Sequence, residues 1–136
     1  MTPRQIKLVR WGMFGVLLSL LPLAGAFVGS AIYGKLVSLE GLLSRGELLL
    51  IATTLAAAAT GELFGSRHSS TASGTEVLAG GAAIFVAVLA IFSYAVVSTA
   101  ISRGEQFSKT FVTWYSIVIW LFSIAAGALC VALSER

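Results

Sequence analysis

The chain has 136 residues, 57% of them hydrophobic and 11% charged, with a mean hydropathy of +0.94. Water-soluble globules carry roughly a quarter of charged residues, so this composition excludes an ordinary soluble domain. The net charge of +3 comes from nine Lys and Arg residues scattered among loops and ends, which excludes the clustered basic face that a nucleic-acid groove needs.

Thr2-Pro3-Arg4-Gln5 begins the chain with a capping box, Thr with Gln three positions on, and with proline at the first helical position. Arg4, Lys7 and Arg10 then precede an apolar run closed by Ala24-Gly25-Ala26. That order resembles a cleaved signal peptide, but the run continues to Tyr33 and is long enough to span. The expectation is a first membrane helix over 11–33, kinked at Pro22 and bracketed by Trp11 and Tyr33 at headgroup level.

The stretch 35–43 mixes charges with Leu36, Val37, Leu39, Leu42 and Leu43 and predicts a short interfacial helix. Further apolar runs predict spans over 46–65, 77–101 and 110–133, each near the roughly 20 residues that cross a bilayer. Ser44-Arg45-Gly46-Glu47, Ser73-Gly74-Thr75-Glu76 and Ser102-Arg103-Gly104-Glu105 repeat the capping-box pattern. They predict the N-termini of the second, third and fourth helices. Residues 1–136 thus form one transmembrane domain, an all-α four-helix bundle with short loops.

Orientation rests on charge. Arg4, Lys7, Arg10, Arg67 and Arg136 fall on one side, Lys35, Arg45, Arg103 and Lys109 on the other. The cluster before the first helix favours cytoplasmic termini in a plasma (inner) membrane.

The positions of Glu47, Glu76 and Glu105 are explained by capping. Glu62 is different, because it lies near the carboxyl end of the second span, where the helix dipole disfavours an anion. It calls for a counter-ion, and Arg10 and Arg67 are the candidates. The same span is unusually small in its side chains. At 100° per residue Glu47, Thr54, Ala58, Gly61, Glu62 and Gly65 share a stripe, and hydroxyls and carboxylates along it suit a narrow cation path. Glu47, Thr53, Thr54, Thr60 and Glu62 are therefore the pore or ion-binding candidates. Close helix packing is expected at Gly25, Gly29, Gly61, Gly65, Gly80 and Gly81.

Catalysis has little to stand on. Cys130 and His68 are single residues of their kinds, and no Asp is present for a triad. No enzyme activity, cofactor or metal is expected. The mid-helix Glu of small multidrug-resistance transporters and the pore Asn of double-barrelled fluoride channels are both missing. As a compact four-span chain it is similar in general style to bacterial membrane proteins used as membrane-disrupting effectors in phage defence. The expected function is a homo-oligomeric ion channel or pore-type effector whose partners are the lipid bilayer and its own copies. Two alternatives are a non-conducting subunit of a larger complex, partnered with another membrane protein, and a proton-coupled transporter titrating Glu62.

Overall fold

The computed structural model describes residues 2–17, 19–34, 38, 41, 43–65 and 73–134, and it is all-helical over them. Three helices are long and apolar enough to cross a membrane: α3 (Glu47–Gly65), α4 (Gly74–Ser102) and α5 (Lys109–Leu133). Within two residues at the start and one at the end, α3 and α5 match the expected spans, while α4 begins three residues earlier. A helix is the natural state of such runs, because hydrocarbon supplies no partner for a backbone amide and each turn of helix supplies its own.

Hydroxyl groups obey the same constraint. Thr53 donates to the Leu49 carbonyl at 2.9 Å and Thr60 to that of Ala56 at 2.8 Å. Ser93 and Ser116 donate to carbonyls four residues back at 2.7 Å. A second set of polar contacts joins the helices. Ser123 of α5 donates to the Ala52 carbonyl of α3 at 2.6 Å, and Cys130 of α5 reaches the Ala79 carbonyl of α4 at 3.5 Å. Ser93 of α4 and Tyr115 of α5 lie 2.9 Å apart. Each such bond contributes about half a kcal/mol in a membrane bundle.

Packing is close because the buried faces are small. Ala52, Ala56 and Ala59 of α3 are completely buried, as are Ala83 and Ala90 of α4. Leu49, Leu55 and Leu63 fill the space between layers. Helix α3 lies centrally and packs along most of its length against both α4 and α5.

The expected first span is helical but divided. Helix α1 (Pro3–Arg10) passes into a π-helical segment over Trp11–Leu17, and after a turn at Leu20 the chain resumes as α2 (Leu21–Ile32) with Pro22 in its first turn. The break therefore falls just ahead of the proline, as its missing N–H requires. The segment runs along the groove between α3 and α5. Trp11 packs beside Ala59 and Leu55 near one end, and Val16, Leu20 and Leu23 continue against the layer of Leu48, Ile51 and Leu55. Beyond Leu23, α2 makes little contact with the other helices. Of the expected interfacial helix at 35–43, all but Ser38, Gly41 and Leu43 lies outside the described residues.

Two of the four expected capping boxes form. Thr2 accepts from the Gln5 amide and Ser73 from that of Glu76, with both reciprocal bonds present. Neither Ser-Arg-Gly-Glu tetrapeptide forms the box: the first still precedes a helix start, α3 beginning at its Glu47, while the second closes a helix, which corrects the expectation. In the second of them Ser102 ends α4, Gly104 takes φ +67°, and the amides of Gly104 and Glu105 bond back to Ile101 and Ala100. This is the Schellman arrangement of a helix C-terminus. In the first, Gly46 takes φ +79° and its amide bonds back to Leu43, while the Ser44 hydroxyl donates to the Gly41 carbonyl. Both glycines adopt a left-handed backbone, so the motif closes a turn before it opens anything. The cap of α5 is Ser108, which accepts from Phe111.

Gly104→Ala is expected to lower stability by about 1–2 kcal/mol, the cost of a side chain in the left-handed region. Gly81→Ala, in mid-helix with nothing within 4 Å of the added methyl, should leave it unchanged or raise it by up to about 1 kcal/mol. Thermal unfolding in mild detergent, followed by reaction of the buried Cys130 with a thiol dye, checks both.

Candidate functional site

Two features of the fold bear chemistry, a charged cavity at one end of the bundle and the outer face of α3. The cavity begins with α1, an amphipathic helix that places Lys7 and Arg10 one turn apart. Lys7 Nζ lies 3.6 Å from Glu62 Oε2 and donates to Ser134 Oγ at 3.1 Å. The N-terminal helix, the end of α3 and the end of α5 are therefore tied at one point. Lys7 is about one-fifth exposed and Glu62 nearly half, so the pair is hydrated and contributes no more than about 1 kcal/mol.

Beside it is a half-open cavity of about 260 Å³ lined by Lys7, Arg10, Trp11, Phe14, Gly15, Glu62 and Val131. Trp11 is fixed there by a notch in α5. A methyl group at Gly127 would stand 2.6 Å from Trp11 Cζ2 and 2.9 Å from Cη2, so glycine is what admits the indole. The indole Nε1 is buried and makes no hydrogen bond to a described residue.

The sequence-derived candidates fall out as follows. Glu62 is paired with Lys7, and Arg10 lines the same cavity without an ion pair to any described residue. Arg67 lies outside the described residues. Thr54 is exposed on the outer face of α3 and donates to Ile51. Thr53 is turned toward α4, its hydroxyl 3.5 Å from the Ala87 carbonyl, and Thr60 is half-buried. The three threonines thus occupy two sides of the helix. Glu47 is half-buried at the opposite end of α3 from Glu62.

Among the glycines, Gly80 packs closely, its added methyl meeting Phe64 at 3.0 Å. Gly25, Gly29, Gly61, Gly65 and Gly81 have open space where a methyl would be. The described residues hold no group of three His, Cys, Asp or Glu side chains that could bind a metal.

Sequence reasoning missed Lys7 and Gly127. Lys7 was visible as the neighbour of Arg10 at three-residue spacing on an amphipathic first helix. Gly127 carried no signal of its own, because its role exists only where Trp11 meets it. Compared with protein families, with curated proteins and with solved structures, the chain matches none of them.

Gly127→Ala is expected to displace Trp11 and to cost about 1–3 kcal/mol, the usual range for overpacking a close contact. In a background with Trp114 and Trp120 replaced by Phe, the emission of Trp11 should shift and the unfolding temperature fall. Unchanged emission would show that the notch does not hold the ring.

Proposed function

We propose that this chain is a small four-span membrane protein that assembles with copies of itself through the outer face of α3, forming an ion-conducting pore. The observation that carries this reading is a contrast between outward faces. Helix α4 presents Leu78, Ile84, Phe85, Val88 and Phe92 to its surroundings, and α5 presents Phe111, Trp114, Leu121 and Phe122. Those are the bulky apolar groups that suit lipid tails. Helix α3 exposes only two bulky apolar side chains among its described residues, Leu50 and Phe64, and otherwise presents Thr54, Ala57, Ala58, Gly61, Glu62 and Gly65, a largely small and polar strip that gains little from lipid and permits close helix approach.

The opposite side of α3 is fully engaged, with Leu49, Ala52, Ala56 and Ala59 at zero exposure. The strip is therefore surplus to the internal packing. In an assembly it brings backbones together along Ala58, Gly61 and Gly65, with Glu62 near one mouth, Glu47 near the other and Thr54 between. Carboxylates at the mouths of a narrow path concentrate cations, and hydroxyl oxygens between them replace part of the hydration shell.

The fourth crossing is supplied by the segment from Trp11 to Ile32. Its passage from Trp11, beside the end of α3 at Glu62, to Leu23, packed on the layer of Leu48 and Ile51, supports a traverse of the bundle. At 1.5 Å per residue the stretch from Trp11 to Ile32 covers about 33 Å, enough for the hydrocarbon core of a bilayer. Both chain ends then lie on the side of Lys7 and Ser134, which we assign to the cytoplasm of the plasma membrane from the basic N-terminal cluster.

With Cys130 replaced by Ser, a single cysteine at Ala58 should form disulfide-linked dimers under mild oxidation in membranes, whereas one at Phe85 should not. Equal cross-linking at both positions would remove the interface from α3. Full-length protein in liposomes should pass monovalent cations, and Glu62→Gln should reduce that flux several-fold. Absence of flux from wild-type proteoliposomes would sink the pore.

A further inference from the structure

We propose that the cavity beside Arg10 binds phosphate, and that its natural occupant is the phosphate of an anionic lipid headgroup. The argument begins with hydrogen-bond donors that lack acceptors. An ammonium has three hydrogens, and Lys7 directs one toward Ser134 and one toward Glu62, which leaves one. The Arg10 guanidinium has five N–H groups and bonds to no described residue. Trp11 closes the inner wall by its ring, its Nε1 being sealed from the cavity and bonded to none of the described residues. Lys7 and Arg10 are one helical turn apart, so the two donors share a face and, with the Trp11 ring, line the same cavity.

Charge points the same way. Glu62 is neutralised by Lys7, and the pair holds the ammonium in place while Arg10 leaves the described lining residues with one net positive charge. A phosphate diester carries one negative charge and several acceptor oxygens, which is what a guanidinium and an ammonium together satisfy. The remaining wall is apolar, formed by Phe14, Gly15 and Val131. An amphiphile fits that division, with its head on the donors and its glycerol and first methylenes on the aromatic side.

Position selects lipid over a soluble phosphate. The cavity lies where α3 and α5 end, at Gly65 and Leu133, which in membrane-crossing helices is headgroup level, where basic side chains meet anionic lipid. The backbone also widens into its π-helical segment at Trp11, a distortion that occurs often at functional sites. The site goes beyond the assembly proposed above and does not depend on it, since a lone copy keeps the whole cavity.

The test uses the full chain in phosphatidylcholine nanodiscs with increasing phosphatidylglycerol. Unfolding is read from labelling of Cys130, and bound lipid is counted by native mass spectrometry. Phosphatidylglycerol should raise the unfolding temperature and one molecule should be retained per chain. Arg10→Gln should need on the order of tenfold more lipid for the same effect, as loss of one charge-assisted bond implies, and Arg10→Lys should recover part of it. Arg103→Gln, at the opposite end of the bundle, should behave as wild type. Equal losses in Arg10→Gln and Arg103→Gln, or no advantage of phosphatidylglycerol over phosphatidylcholine, would overturn the site. Equal stabilisation by inorganic phosphate without anionic lipid would keep the site and overturn the lipid assignment.

Discussion

Close approach of three helix backbones along Ala52, Ala56 and Ala59 is the constraint from which the rest of the structure follows. In hydrocarbon, helices gain nothing from hiding apolar surface from lipid, so association depends on contact density and on polar bonds between helices. Side chains no larger than alanine at these positions let α5 come near enough for Ser123 to bond the Ala52 carbonyl at 2.6 Å. They also bring Cys130 to the Ala79 carbonyl. A bulkier residue at any of the three would separate the helices and break bonds that have no substitute in an apolar surrounding.

The same economy of side-chain volume makes room for the N-terminal segment. Glycine at position 127 leaves a hollow in α5, and the Trp11 ring fills it, its edge against Ala59 and Gly127. The docking places Lys7, one turn earlier, over the ends of α3 and α5. A charged site at one end of the molecule thus depends on a small residue within a buried helix surface. The π-helical segment beginning at Trp11 is where the amphipathic α1 adjusts to the groove it enters.

Much of this fold was legible in the sequence, and what was not has physical causes. Apolar runs located α3, α4 and α5 to within a few residues, because length and hydropathy suffice where hydrocarbon leaves a helix no competitor. Of the two Ser-Arg-Gly-Glu tetrapeptides, the first stands before a helix start as expected, α3 beginning at its Glu47, whereas the second marks the end of α4. A Ser followed by Glu three residues on reads as an N-terminal cap, but the intervening glycine prefers the left-handed turn that ends a helix, and at Gly104 that preference prevailed. Ser73-Gly74-Thr75-Glu76 kept its capping role because its glycine stands one place earlier, inside the first helical turn. The division of the first span at Leu20 follows from Pro22 and was legible. The notch at Gly127 and the inter-helix bond of Ser123 were not, since each exists only between partners far apart in sequence.

The choice of Lys7 over Arg10 as the partner of Glu62 has its own logic. Glu62 lies three residues from the end of α3, where carbonyls without partners present a negative pole, so its charge is disfavoured by its own helix and needs a cation close by. Val131 and Ser134 bring the end of α5 to the same place, with a second negative pole. A compact ammonium with three freely oriented donors serves a carboxylate, a hydroxyl and two helix ends in a tight space better than a planar guanidinium does. Lysine sits where those four meet, and arginine, one turn farther along the chain, remains on the cavity wall with its fork unengaged by any described residue. The sequence order of lysine before arginine on α1 thus separates a charge tied to the ends of α3 and α5 from one that the proposed phosphate would engage.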